Sequence, residues 1–136
     1  MAKNKIKKDL DGMMFNTQSV KPAAAQGARN TILPGVVTVE VEAVTTNADD
    51  FIVLPSLARV PKGHTIKILC TAGGNFELRT PASSAEEINS EDCDGTKEYL
   101  CTDTQILYVT KIDNTVGWEA HAYTAIGAVA TAVVPD

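Results

Sequence analysis

Two histidines, three cysteines and one acidic run are the groups in this 136-residue chain that could do chemistry. The acidic run is Asn89-Ser90-Glu91-Asp92-Cys93-Asp94-Gly95-Thr96-Lys97-Glu98. Hard cations want clustered oxygens, and a glycine lets a loop bend around the ion. Placing Gly95 at the sixth position of a calcium loop puts Asp92 and Asp94 at ligand positions three and five. It also puts Ser90 first and Cys101 twelfth, where a bidentate glutamate is needed. The pattern fails at its most discriminating place, so the run reads as a solvated acidic loop. His64 falls in a turn, and His121 alternates with Ala120 and Ala122 inside a strand, on the opposite side from them. Nucleophilic catalysis needs a base held by a third group beside Ser or Cys. The sequence has no GxSxG, HExxH or GxxxxGK[ST] to supply that constellation. Asp49-Asp50 and Glu86-Glu87 are adjacent, so in extended chain their carboxylates point apart. Cys70, Cys93 and Cys101 form no CxxC and are odd in number, which suits reduced thiols better than a disulfide framework. Cys93 and Cys101 could pair only if a hairpin brought them together. Trp118 has two readings, a stacking surface for a ligand or a packing anchor at the start of a strand. The sequence therefore predicts no catalytic residue, no metal site and no cofactor.

The elements that must position these groups are strands. Phe51 to Leu54 is a short apolar run closed by Pro55. Val60-Pro61-Lys62-Gly63 reverses the chain, since proline presets φ and glycine suits a tight turn. Thr65 to Cys70 then alternates, with Ile66, Ile68 and Cys70 on one face. Val37, Val39 and Val41 alternate with Thr38, Glu40 and Glu42. Gly73-Gly74-Asn75 marks a hairpin, and Phe76 to Arg79 resumes the alternation. Residues 82–95 read as a long surface loop with one apolar contact at Ile88. Glu98 to Cys101 is a short strand. Along Thr104 to Ile112, Ile106, Tyr108, Thr110 and Ile112 share one side, and Leu107, Val109 and Lys111 share the other. Trp118 to Thr124 follows a turn, and the small apolar tail 125–134 is a last strand or a strip against another subunit. Seven or eight short strands without a convincing helix predict an all-β, jelly-roll-like β-sandwich.

Residues 1–34 lack a sustained period and read as an extended N-terminal arm, with the sandwich domain over 35–136. Lys21 to Arg29 is small and polar, the composition of an extended segment. Charge divides along the chain. Residues 1–30 carry six basic and two acidic groups, a net +4; the remainder carries six basic and fifteen acidic groups, a net −9. Such asymmetry speaks of partners rather than fold. An acidic body repels a polyanion, and the arm has no interleaved aromatic except Phe15, so nucleic acid is not the expected partner. No apolar run approaches the ~20 residues that cross a bilayer. The basic start lacks the apolar stretch of a secretory signal, so the expected site of synthesis is the cytoplasm. The arm is expected to dock on an acidic protein surface, with Lys3, Lys5, Lys7 and Lys8 meeting charge and Leu10, Met13, Met14 and Phe15 filling small pockets.

The layout also resembles a known class. Val53-Leu54-Pro55, Val60-Pro61-Lys62-Gly63, Thr65 to Ile68, the Gly-Gly-Asn hairpin, Ile88-Asn89 with Asp94-Gly95, Tyr99-Leu100 and Gly117-Trp118 together resemble the small β-sandwich structural proteins of tailed bacteriophages. These are capsid decoration (cement) proteins and head- or tail-fibre modules. The resemblance is one of pattern over residues 36–124 and carries no functional residue with it. It implies a non-enzymatic virion component on the capsid exterior, a homotrimer attached by an N-terminal arm to the major capsid protein. A fibre tip that binds a receptor or glycan in a groove through Trp118 or Tyr123 is the alternative.

Overall fold

The computed structural model describes residues 16–42, 49–70, 73–95, 97–124 and 129. Ten strands follow in order: β1 (Thr17–Val20), β2 (Thr38–Val41), β3 (Phe51–Val53), β4 (Thr65–Cys70), β5 (Phe76–Arg79), β6 (Glu87–Ile88), β7 (Glu91–Asp92), β8 (Tyr99–Cys101), β9 (Gln105–Asp113) and β10 (Gly117–Tyr123). A single 3-10 turn, Leu57–Arg59, lies between β3 and β4. Seven strands make one sheet in the order β1-β2-β4-β9-β10-β6-β7, and three make the other in the order β3-β5-β8. The fold is an all-β sandwich. The proline-framed crossing from 54 to 64 carries the chain from the smaller sheet to the larger.

Alternation explains which side of each strand is inside. Ile66, Ile68 and Cys70 of β4, Leu107 and Val109 of β9, and Trp118, Ala120 and Ala122 of β10 are buried. They meet Phe76 and Leu78 of β5, Tyr99 and Cys101 of β8, and Ile52 of β3 in one continuous apolar core. Antiparallel β4 and β9 pair from Thr65↔Thr110 to Cys70↔Gln105, and β9 and β10 from Lys111↔Trp118 to Ile106↔Tyr123. The β9–β10 turn is closed by Asp113, whose Oδ1 accepts the N–H groups of Thr115 (2.8 Å) and Val116 (2.7 Å). Gly117 ends that turn at φ +84°, and a Cβ there would collide with the carbonyl oxygen of Glu87.

The body starts earlier than the sequence predicts. The expected arm runs to residue 34, yet β1 is the edge strand of the larger sheet, paired in parallel with β2 from Thr17↔Thr38 to Val20↔Val41. Ile32 is fully buried. The segment between them covers the free edge of β3: Phe51 and Ala23 exchange backbone bonds (3.0 and 3.2 Å), Val53 N–H donates to Asn30 O (2.7 Å), and Ile32 N–H donates to Val53 O (2.8 Å). Asn30, 1% exposed, fixes this path. Its Nδ2 donates to the carbonyls of Ala25 and Phe51, and its Oδ1 accepts the N–H of Gly27. Backbone pairing and one satisfied amide order a segment whose side chains show no period.

Two other expectations change. The surface loop 82–95 contains the β6–β7 hairpin, turned by Asn89 (φ 52°) and Ser90 (φ 68°). Two consecutive positive φ values make the tight turn that suits strand twist. Asn89 also docks the hairpin: its N–H donates to Trp118 O (2.9 Å), its Nδ2 donates to Ala120 O (3.2 Å), and its Oδ1 accepts Ala120 N–H (2.8 Å). The apolar tail 125–134 lies outside the described residues except Val129, which bridges to Tyr123.

Candidate functional site

The groups singled out for chemistry are dispersed over the fold. His64 has its Nε2 2.8 Å from the carbonyl of Val36. His121 points outward from β10 with its Nε2 3.2 Å from Glu119 Oε1. The two imidazoles thus have separate partners. Glu86 Oε1 accepts Ser56 Oγ–H and Leu57 N–H (both 3.0 Å), which fixes the start of the 3-10 turn. Lys111, 6% exposed, closes the other end of that turn, donating from Nζ to the carbonyls of Leu57 and Val60. A shallow cleft of about 240 Å³ lies here, bordered by Leu57, Ser84, Glu86, Glu87, Asn114 and Thr115. Glu86 Oε1 is thus spent on the Ser56 hydroxyl and the Leu57 backbone, while its Oε2 is buried without a hydrogen-bond partner.

The acidic run does not gather around a centre. Asp92 Oδ1 accepts Asp94 N–H (3.2 Å), Asp94 Oδ2 accepts Ala85 N–H (3.1 Å), and Glu91 pairs with Lys97 (2.7 Å). Cys101, the twelfth position of the tested loop, is in the core. Among the described residues, no group of three or more His, Cys, Asp and Glu side chains is placed to hold a metal ion. The three thiols are free and buried, and burial pushes Cys93 up to about 11. A thiol at that value is not a nucleophile at neutral pH.

Trp118, offered as a ligand contact, is corrected to the packing reading. It is 1% exposed and sits in the core beside Lys111, its strand partner on β9. Its ring cannot stack on a ligand unless the sandwich opens. The arm residues Lys3, Lys5, Lys7, Lys8, Leu10, Met13, Met14 and Phe15 lie outside the described residues.

What the fold does assemble is an outer face on the larger sheet. The ladder registers align side chains in rows across the strands. Glu40, Leu69, Ile106 and Tyr123 form one row; Thr38, Lys67, Tyr108 and His121 form the next; Thr65, Thr110 and Glu119 form a third. Tyr108 is 38% exposed, and its ring meets Tyr123 edge-to-face at 5.7 Å. Thr65 and Thr110 share a hydroxyl bond of 2.8 Å. The row pattern was partly legible, because Ile106, Tyr108, Thr110 and Ile112 share one side of an alternating strand. The neighbours contributed by β4 and β10 depend on register, which no single strand encodes. The face mixes apolar, hydroxyl and charged side chains, with the exposed His121–Glu119 pair (3.2 Å) on its β10 side.

The smaller sheet presents a charged counterpart. Arg79 donates to Glu77 Oε2 from Nε (3.0 Å) and Nη2 (2.6 Å) and pairs with Glu98 (3.2 Å). Its guanidinium lies 4.2 Å over the Phe51 ring. Burial raises the Glu77 carboxyl above its usual range, with Arg79 working against that shift and Glu98 and Asp49 adding to it. One cation holding two carboxylates over an aromatic ring is a structural clamp.

No protein-family model matches the chain, and no curated protein matches it.

Proposed function

We propose that this protein is a non-enzymatic bacteriophage capsid decoration (cement) protein, which grips the outer surface of the head through its cationic N-terminal segment. The observation that carries the reading is the division of charge: four lysines within residues 1–15 precede an acidic body. The attachment point supports it. The described body begins at Asn16, whose carbonyl accepts Val37 N–H (3.0 Å), so the basic segment joins the sandwich at the edge of its larger sheet. Fifteen residues at ~3.3 Å each span up to roughly 50 Å, enough to lie across neighbouring capsid subunits.

The mechanism is mechanical. Copies positioned where capsid subunits meet add interface across joints, and several arms together hold more tightly than any one contact. The partners are the major capsid protein and further copies of this chain, on the exterior of the virion. Co-sedimentation with expanded capsids tests the reading, comparing the intact chain with a variant lacking residues 1–15. Binding is expected to be lost in the variant and to weaken with salt in the intact chain. Undiminished binding by the shortened chain overturns the proposal. Microscopy of the particle supplies the location, with copies expected on the head surface.

A second reading, a fibre module that binds a receptor glycan, draws on Tyr108, the exposed aromatic at the centre of the outer face. It requires glycan-array binding that Tyr108→Ala removes.

A further inference from the structure

β4 of the larger sheet and β8 of the smaller sheet both terminate in cysteine, Cys70 and Cys101. The path of the chain brings these two ends together. From β8 it crosses to the larger sheet through residues 102–104, and that crossing is fastened to Cys70 itself. Thr104 N–H donates to Cys70 O (2.7 Å), and the next residue, Gln105, is the ladder partner of Cys70. On the other side of the core, Cys101 pairs with Phe76, the first residue of β5. Both side chains point inward into the same apolar core, 1% and 0% exposed, and the Cys101 thiol has the Tyr99 carbonyl (4.0 Å) and the Cys70 thiol as its neighbours. Cys93 stands apart: its backbone pairs with Thr80 and Glu86, and it is Ile88 that its thiol meets.

We propose that Cys70 and Cys101 form a disulfide that bolts the two sheets together, leaving Cys93 as the free thiol. The bond closes a loop of roughly 30 residues running through β5, β6, β7 and β8, long enough for a cross-link to restrict the unfolded chain substantially. The reaction is exchange with a small disulfide such as oxidised glutathione. The thiolate of one cysteine displaces one glutathione, and the second thiolate then attacks the mixed disulfide and releases the other. Two protein thiols and one oxidised glutathione become one protein disulfide and two reduced glutathiones, the protein losing two electrons and two protons. Burial holds Cys101 protonated in the closed sandwich. Exchange therefore runs while the sandwich is opening or folding, when a thiolate and the oxidant can meet.

The test refolds the full chain from guanidinium in a glutathione redox buffer, alongside a sample kept reduced. Free thiols are alkylated and counted by mass after unfolding, and the linkage is mapped on peptides under non-reducing conditions. The expected result is one free thiol, a Cys70–Cys101 peptide pair, and a melting temperature about 10 °C above the reduced sample. Cys93→Ala should retain the link and the shift. Cys70→Ala and Cys101→Ala should each retain two free thiols and show no dependence on reductant. Three free thiols after oxidative refolding, a link involving Cys93, a link between two chains, or a Cys70–Cys101 bond that lowers the melting temperature each overturns the proposal.

Discussion

At the scale of single residues, a few polar side chains fix backbone that apolar packing alone would leave ambiguous. Asn89 holds a left-handed turn and completes the ladder of β10 through both ends of its amide. Asn89→Ala should cost about 1–3 kcal/mol, read as a fall in denaturation midpoint, because Ala120 loses two partners at a half-buried site. Asn89→Gly keeps the turn but not the amide and should fall between. Lys111 is the second such residue. Lys111→Met leaves the Leu57 and Val60 carbonyls without their buried donor and should destabilise by about 1–3 kcal/mol. Asp113 gives a pH signature. The N–H groups of Val116 and Thr115 hold its carboxyl below the usual range. A carboxyl lower in the folded than in the unfolded state adds stability above the unfolded value, and that contribution drains away as pH falls through the folded one. Asp113→Asn keeps the oxygen acceptor without the charge. The melting temperatures of the two proteins should therefore differ slightly at neutral pH and converge as pH falls below about 4.

At the scale of elements, legibility followed burial. β4, β9 and β10 were readable because one face of each is in the core, so Ile66, Ile68, Leu107, Val109, Ala120 and Ala122 recur at every second position. β1 was not, because Thr17-Gln18-Ser19-Val20 sends a single large apolar side chain inward. Its place is secured by parallel pairing and by Gln18, whose amide donates to Thr31 O and accepts Leu33 N–H. Those contacts are long-range and leave no local pattern. The hairpin at 87–92 hid for a related reason, since two-residue strands are too short to display a period. Of the candidate site, the outward row of β9 could be seen in advance; its partners on β4 and β10 could not. The element view yields its own expectation. Removing residues 1–15 should leave the melting temperature close to that of the intact chain. Removing 1–30 strips β1 and uncovers the edges of β2 and β3, and should give a destabilised, self-associating product by thermal melting and sedimentation velocity.

For the whole molecule, one apolar core lies between two differently dressed outer faces. The larger sheet offers rows of mixed apolar and polar groups around Tyr108, and the smaller offers the Arg79 clamp. Attachment through the basic segment predicts a salt-sensitive association, and reversing Lys3, Lys5, Lys7 and Lys8 to glutamate should abolish capsid binding while leaving the body's melting unchanged. If the proposed attachment loads that segment, tension enters the sandwich at Asn16 and runs along β1. Because β1 lies parallel to β2 and is bonded to it along its length, a tug in line with the strand strains those bonds all at once instead of unzipping them singly. A tether anchored in shear yields late, and pulling the chain by its N-terminus should need more force than pulling sideways on the same edge.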